Sequence, residues 1–222
     1  MRRWGDADAD ERFRLLTFLF SKRLKVPGFD VRFFVYPNRR DRQRAESRLG
    51  EALVLLKQYT PLRLAYLEKD LPKLSIFVAG AAYAKCYARI QLCLLDEEYV
   101  LGDQTTAIDL ALTLVHEGTH ARLARAGFRY TDDRRARIER ICYGAELVVA
   151  RRIPGAERSV RSFERSIAAK DTYYSRSVQR TRELRKTAEA MKELGWVARR
   201  VWWFTVVLGW VLGIWRRRPP SP

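Results

Sequence analysis

The chain contains only two histidines, and both lie in one pentapeptide, His116-Glu117-Gly118-Thr119-His120. Residues four apart in an α-helix lie on one face about a turn apart, so both imidazoles can reach a single metal ion. The pattern is H-E-x-x-H, which on a helix is typical of a zinc site with a glutamate beside it. The sequence therefore predicts a helix-borne metal site, and this site limits how the rest of the chain can fold.

Residues on either side of the pentapeptide predict the helix that the motif requires. A capping box at residues 106–109 opens this helix, and Gly127 ends it. A second helix is predicted over residues 133–153, where it ends at Pro154-Gly155. The two helices follow one another closely, so side chains from both can contribute to one site.

Zinc held by two imidazoles needs a third protein ligand and an open position for water. Glu117 directly follows the first histidine, so its carboxylate can accept a proton from a water that attacks a polarised carbonyl. The third ligand has to be a carboxylate, because histidine is exhausted and the three cysteines lack metal-ligand spacing. The second helix offers Glu139 and Glu146, which stand about 10 Å apart along the axis, so only one can contact the ion.

His116, Glu117 and His120 match the motif of the gluzincin class of zinc metallopeptidases, which this sequence resembles. In that class a glutamate on a following helix completes a His₂Glu site. Eighteen residues separate His120 from Glu139, close to the shortest common spacing of the class, so the resemblance carries the third-ligand role to Glu139. Glu146 stays an alternative third ligand, or it can serve as the hydrogen-bond partner of a ligand histidine.

The resemblance covers residues 88–153, and it departs from the class pattern at one point. The acidic residue expected four positions after the ligand glutamate is replaced by Tyr143. No downstream histidine exists to act as a transition-state donor, so this role would pass to a tyrosine or an arginine. The candidate tyrosines are Tyr143, Tyr173 and Tyr174.

The resemblance implies a bacterial-type zinc metallopeptidase with one Zn²⁺ per chain and a peptide or protein as its substrate. It also implies that the strand predicted at residues 88–94 lines the substrate, as an edge strand that pairs with an extended peptide. Two alternatives remain open. One is a catalytically silent zinc-binding module that serves as a sensor or interaction domain. The other is a basic membrane-surface protein whose motif is accidental.

The distribution of predicted elements favours an α+β fold, which the resemblance makes zincin-like. We expect a small antiparallel or mixed sheet, followed by a helical half that carries the HExxH helix and the glutamate helix. The first hundred residues mix both patterns, with helices predicted at 11–24 and 41–59 and strands at 31–36, 62–67, 74–78 and 88–94. Charged helices are predicted over residues 156–194. Residues 1–195 are predicted to form the domain.

Residues 196–222 differ in composition from the domain. The run 201–215 is uncharged, contains four of the six tryptophans and is bracketed by arginines. As a helix it would span about 22 Å, short of a hydrocarbon core of about 30 Å. We expect either a membrane anchor, with the arginines snorkelling to the interface, or a buried helix.

The formal net charge of +17 indicates a polyanionic neighbour. No nucleic-acid-binding module is recognised, so an anionic membrane that meets the tail is favoured over nucleic acid. Three cysteines without a paired pattern and the absence of a secretory signal favour the cytoplasm, with residues 196–218 as a tether to the cytoplasmic face of a membrane. The pattern predicts no oligomeric state.

Overall fold

The structure is a computed structural model that describes residues 21–34, 38–77 and 83–174. The described strands are β1 (Ser21–Leu24), β2 (Asp30–Phe34), β3 (Lys73–Phe77), β4 (Ala84–Tyr87) and β5 (Leu92–Asp96). The described helices are α1 (Arg39–Tyr59), α2 (Pro61–Asp70), α3 (Glu97–Leu101), α4 (Ala107–Arg125), α5 (Arg135–Ala150) and α6 (Glu157–Ala168). Two 3₁₀ turns lie at Ala88–Ile90 and Asp171–Tyr174.

The five described strands form one mixed sheet in the order β1-β2-β3-β5-β4. The β2–β3 and β3–β5 pairs are parallel, and the two outer pairs, β1–β2 and β4–β5, are antiparallel. Helices α1 and α2 connect β2 to β3, as a parallel pairing requires a crossover. The predicted α+β class with a small mixed sheet is confirmed.

Helix α4 lies at the centre of the fold. It packs against α1, α2, α5 and β4, and its buried face includes Leu110, Leu114 and Val115. The predicted capping box is confirmed, because Thr106 Oγ1 accepts from Asp109 N–H and the Asp109 carboxylate accepts from Thr106 N–H. The helix that carries the histidines therefore begins at a fixed residue and is held on several sides.

Three of the predicted elements are wrong. Residues 62–67 were expected to form a strand but belong to α2, where Pro61 occupies the first turn and its missing N–H costs nothing. The strand expected at 88–94 is broken by the 3₁₀ turn and by Gln91, whose φ of 52° is left-handed. Strand β5 begins only at Leu92 and is interior, so β4 is the edge strand beside it. Residues 21–24, expected to end a helix, form β1.

The apolar run 201–215 and the rest of the predicted tail lie outside the described residues, as do residues 1–20 and the region 175–194. Within the described ranges, no helix combines the length and the apolar character needed to cross a membrane.

Candidate metal centre

Helix α4 places His116 and His120 one turn apart on the side that faces α5. Close packing of α4 against α2 depends on Gly118, because a Cβ there would lie 2.8 Å from Leu67 Cδ1. The two ring centroids are 4.9 Å apart, and the Nε2 atoms of the two imidazoles lie 3.1 Å from each other. The rings therefore direct their Nε2 atoms at a common point, as the i, i+4 spacing predicted.

The turn between α4 and α5 brings the second helix back across the histidines. Gly127 has a φ of 88°, which the left-handed end of a helix requires. Its N–H donates to Ala124 O at 3.0 Å, and Phe128 N–H donates to Leu123 O at 3.0 Å. These are the paired hydrogen bonds of a Schellman motif, which satisfies the last carbonyls of α4 and reverses the chain.

The second turn of α5 places the Glu139 carboxylate beside both histidines. Glu139 Oε2 lies 3.3 Å from His116 Nε2, and Oε1 lies 3.6 Å from His120 Nε2. Ligands that stand 2.0–2.1 Å from a tetrahedral zinc ion are about 3.3–3.4 Å from one another. The separations among the three side chains are close to this value, so the donor set fits a zinc ion.

Cys142, one turn after Glu139, is a further candidate ligand. His116, His120 and Cys142 offer ligand atoms that all lie within 4.8 Å of one another, so these three side chains could hold a metal ion. Glu139 is the stronger candidate for the third position, because each of its oxygens lies within 3.6 Å of an imidazole nitrogen. Burial raises the pKa of the Cys142 thiol, so this side chain would become a thiolate only on binding a metal ion.

Glu146 lies on the other side of His116. Its Oε2 is 2.7 Å from His116 Nδ1, so Glu146 contacts the ring nitrogen that points away from His120. A carboxylate at Nδ1 fixes the tautomer of a ligand histidine and leaves Nε2 free for a metal. Glu139 and Glu146 therefore contact different nitrogens of one ring, and only Glu139 is placed to contact the common point.

Glu117 is 8% exposed, and the backbone N–H of Cys86 in the edge strand β4 is directed at its carboxylate. Burial raises its pKa to about 7, with a further contribution from the negative charges of Glu139 and Glu146. The positive charge of His116 and the backbone N–H of Cys86 in β4 act in the opposite direction. A carboxyl group with a pKa near neutrality is suited to accept and return a proton at physiological pH.

The charges within the cluster are strongly coupled. Burial alone would favour a neutral His116 ring, but Glu146 and Glu139 outweigh it and raise the pKa of His116 well above its ordinary value. Burial and the neighbouring His116 charge lower the pKa of His120 to about 4. Although burial opposes the charged form of Glu139, contacts with the two histidines lower its pKa to about 2. A positive charge on His116 would thus partly balance the buried carboxyl groups of Glu117 and Glu146 and the partly buried one of Glu139.

The structure separates the three tyrosines that the sequence proposed as donors. The Tyr143 ring meets His116 edge-on, with 5.1 Å between centroids, so it lies against the first histidine of the motif. Tyr174 is buried, and its hydroxyl donates to Ser166 O. Tyr173 packs against Tyr174 with 5.1 Å between ring centroids. Tyr143 thus contacts a histidine of the motif, and Tyr174 in turn lies against Tyr143, with 6.2 Å between ring centroids.

Tyr130 is a site residue that sequence reasoning missed. It lies in the turn before α5, where its hydroxyl donates to Glu139 Oε1 and its ring meets His120 with 5.2 Å between centroids. The turn has no hydrophobic periodicity that would predict which side chains face the site. The sequence shows only that an aromatic residue lies close to both His120 and Glu139, and this proximity in sequence does not predict a contact.

Comparison with protein-family models, curated proteins and solved structures finds no match for this chain. The functional conclusion therefore depends on the geometry of the cluster and on the motif.

Proposed function

We propose that this chain is a zinc-dependent metallopeptidase of the gluzincin type. The observation that carries the proposal is the convergence of three side chains, His116, His120 and Glu139, with donor separations of 3.1–3.6 Å. Glu117 lies buried beside them at the second position of the H-E-x-x-H motif. An imidazole pair, a carboxylate and an adjacent proton acceptor together make up the side-chain set of a hydrolytic zinc site.

Each residue has a separate role in this proposal. His116, His120 and Glu139 would hold the zinc, and Glu146 would keep His116 in the tautomer that presents Nε2. Bound zinc supplies Lewis acidity, which polarises a carbonyl and lowers the pKa of water. Glu117 accepts the proton of the attacking water and returns it to the leaving amine, as its pKa of about 7 allows.

The position of β4 supports a peptide as the substrate. Among the described strands β4 is at the edge of the sheet, and α4 packs against it. The Cys86 N–H in this strand is directed at the Glu117 carboxylate, so the edge strand and the proton acceptor are neighbours. An extended peptide that paired with a sheet edge here would lie next to Glu117.

The test uses the full chain, purified without chelators. We expect about one zinc per chain and cleavage of a broad peptide library. Glu117→Gln should keep its zinc and lose peptidase activity by about 10²–10⁴-fold, since one general base contributes about that much. Glu98→Gln, at an exposed glutamate, is the matched control and should behave as the wild type. A zinc-free wild-type protein, or an undiminished Glu117→Gln variant, would contradict the proposal.

A second candidate is a zinc-binding module without peptidase activity, which the proximity of Cys142 favours. A site in which Cys142 joins His116 and His120 would have a thiolate ligand, as many structural zinc sites do. Cys142→Ser distinguishes the two candidates. The peptidase proposal expects near wild-type zinc affinity, whereas a site that uses the thiolate would lose most of its affinity.

A further inference from the structure

Tyr130 contacts two of the three proposed zinc ligands from one side. Its hydroxyl donates to Glu139 Oε1, and its ring stands nearly perpendicular to the His120 ring, at an interplanar angle of 89°. The guanidinium of Arg135 lies 4.7 Å from the centre of the same ring. The Tyr130 ring therefore contacts both the His120 ring and the Arg135 guanidinium, and its hydroxyl is hydrogen-bonded to the Glu139 carboxylate.

The two oxygens of Glu139 have different partners. Oε1 accepts the hydrogen bond from Tyr130 and lies 3.6 Å from His120 Nε2, whereas Oε2 has no such hydrogen bond from Tyr130 and lies 3.3 Å from His116 Nε2. A carboxylate oxygen that already accepts a hydrogen bond from a phenol is a poorer metal ligand than its neighbour, because part of its electron density is committed. Tyr130 thus leaves Oε2 as the preferred ligand atom of Glu139.

We infer that Tyr130 is a positioning residue that makes Glu139 a one-oxygen zinc ligand and so keeps a coordination position open for water and substrate. The inference rests on the metal-binding part of the proposed function. If both oxygens of Glu139 bound the ion, a bound water would be its fifth ligand, and no position would remain for the substrate in a site that reaches five ligands only during reaction.

The turn that carries Tyr130 fixes the ring in place. Thr131 N–H donates to Arg129 O, and Arg134 N–H donates to Thr131 O, each at 3.1 Å. Arg135, which covers the ring, has its Nε 3.7 Å from an Asp132 carboxylate oxygen. Because these contacts restrict the turn, little of its conformational entropy remains to be lost when Glu139 binds a metal ion.

The test removes only the hydroxyl. Tyr130→Phe keeps the ring contacts with His120 and Arg135, and zinc affinity is then measured by competition with a chromophoric chelator. We expect the dissociation constant for zinc to rise by about tenfold or more, as for other outer hydrogen-bond partners of metal ligands. Tyr66→Phe is the matched control, since the Tyr66 ring also carries an arginine, Arg122, at 3.6 Å but lies away from the metal ligands. It should leave zinc affinity unchanged.

Replacing zinc with Co²⁺ allows the number of metal ligands to be measured by absorption. A purely structural role of Tyr130 would leave this number unchanged. The visible d–d absorption of Co²⁺ is strong in four-coordinate sites and weaker in five-coordinate ones. We expect Co²⁺-loaded Tyr130→Phe to absorb less per bound ion than the wild type, because Glu139 can then bind through both oxygens. In a Glu139→Gln background, Tyr130→Phe should have no further effect on zinc affinity, since the hydroxyl acts through that carboxylate.

The outcomes separate the inference from the proposed function. Wild-type zinc affinity and an unaltered cobalt spectrum in Tyr130→Phe would overturn the role of Tyr130 while leaving the metal site intact. Additive losses in the double variant would overturn it as well. A wild-type chain that takes up no zinc would overturn both the metal site and the role of Tyr130.

Discussion

His116 Nδ1 lies 2.7 Å from Glu146 Oε2, and this contact joins the two helices that form the candidate metal centre. The same ring directs Nε2 at His120 and Glu139. One imidazole therefore has a carboxylate on each side, and the two glutamates contact different ring nitrogens although both lie on the same helix.

Replacing these two glutamates in turn should weaken zinc binding to different degrees. We expect Glu139→Gln to lose most of the zinc affinity, because it removes a charged ligand. Glu146→Gln should lower the zinc affinity by about 10–100-fold, because this substitution removes only the partner that orients His116. Zinc competition assays on the two single variants compare them directly. A greater loss in Glu146→Gln would transfer the ligand role to that residue.

Zinc uptake should release protons, because the metal-free cluster holds one on His116. Glu146 and Glu139 raise the pKa of His116 well above its ordinary value, whereas a ligand imidazole must be neutral. Zinc affinity should then rise by up to about tenfold per pH unit, as long as pH stays below the pKa of His116 in the folded protein. Calorimetry at pH 7 in buffers of different ionisation enthalpy should show about one proton released per ion. A binding enthalpy independent of the buffer would contradict this expectation.

Protonation of His116 opposes zinc binding, but it should stabilise the fold of the metal-free protein. Because the pKa of His116 is higher in the folded chain than in the unfolded chain, its stabilising contribution is complete below about pH 6.5, the unfolded value. This contribution is lost as pH rises through the folded pKa. Urea unfolding of the chelated protein should detect the loss at alkaline pH, and His116→Gln should lack that component.

Substitution by alanine should have different effects on stability at two glycines within the site helices. Gly144 in α5 has nothing within 4 Å of the position a Cβ would take, so Gly144→Ala should raise the free energy of unfolding by about 0.5–1 kcal/mol. Gly118→Ala in α4 should leave the free energy of unfolding unchanged or lower it, because the new methyl group would lie 2.8 Å from Leu67 Cδ1. Thermal unfolding of the two variants provides the comparison. An equal gain for both would show that α2 can shift away from α4.

An ion pair between Asp70 and Arg125 should contribute to stability. The Asp70 side chain is 1% exposed and lies 2.8 Å from Arg125 Nη2, while Arg125 itself is 48% exposed. Arg125→Ala leaves the buried carboxylate without this guanidinium, and we expect a cost of about 1–3 kcal/mol, below that of a fully buried pair. Arg158→Ala, at an exposed position on α6, is the control. Adding Asp70→Asn should recover part of the loss, and an equally unstable double variant would argue against the charge as the cause.

Local signals in the sequence were sufficient to predict the helices of the candidate site. The Thr106–Asp109 capping box and Gly127 bound α4 nearly as predicted, because helix caps act within a single turn. These features depend on residues a few positions apart. The third ligand stays a prediction: counting histidines indicated a carboxylate on the next helix, but it left out Cys142, which the structure places within 4.8 Å of the two imidazole nitrogens.

Features that depend on tertiary contacts could not be predicted in the same way. The apolar residues after Pro61 are compatible with either a strand or a helix, and packing against α4 favours the helix. The alternation at residues 88–94 resembled a strand, but the left-handed Gln91 interrupts it. The contact between Tyr130 and Glu139 depends on how the Schellman turn directs the chain, which no pattern of residue types encodes.

The proposed zinc ligands and the groups that orient them all lie between His116 and Glu146, on two consecutive helices and the turn that joins them. The longest of these contacts, between His116 and Glu146, closes a loop of 30 residues. This loop is shorter than the one between Asp30 of β2 and its partner Lys73 of β3, so less loop-closure entropy opposes it. We expect the helical pair to assemble before β2 pairs with β3. The unfolded chain also keeps these ligands close together, so it should retain weak zinc affinity, and zinc should then stabilise the native protein by less than its native affinity alone would give.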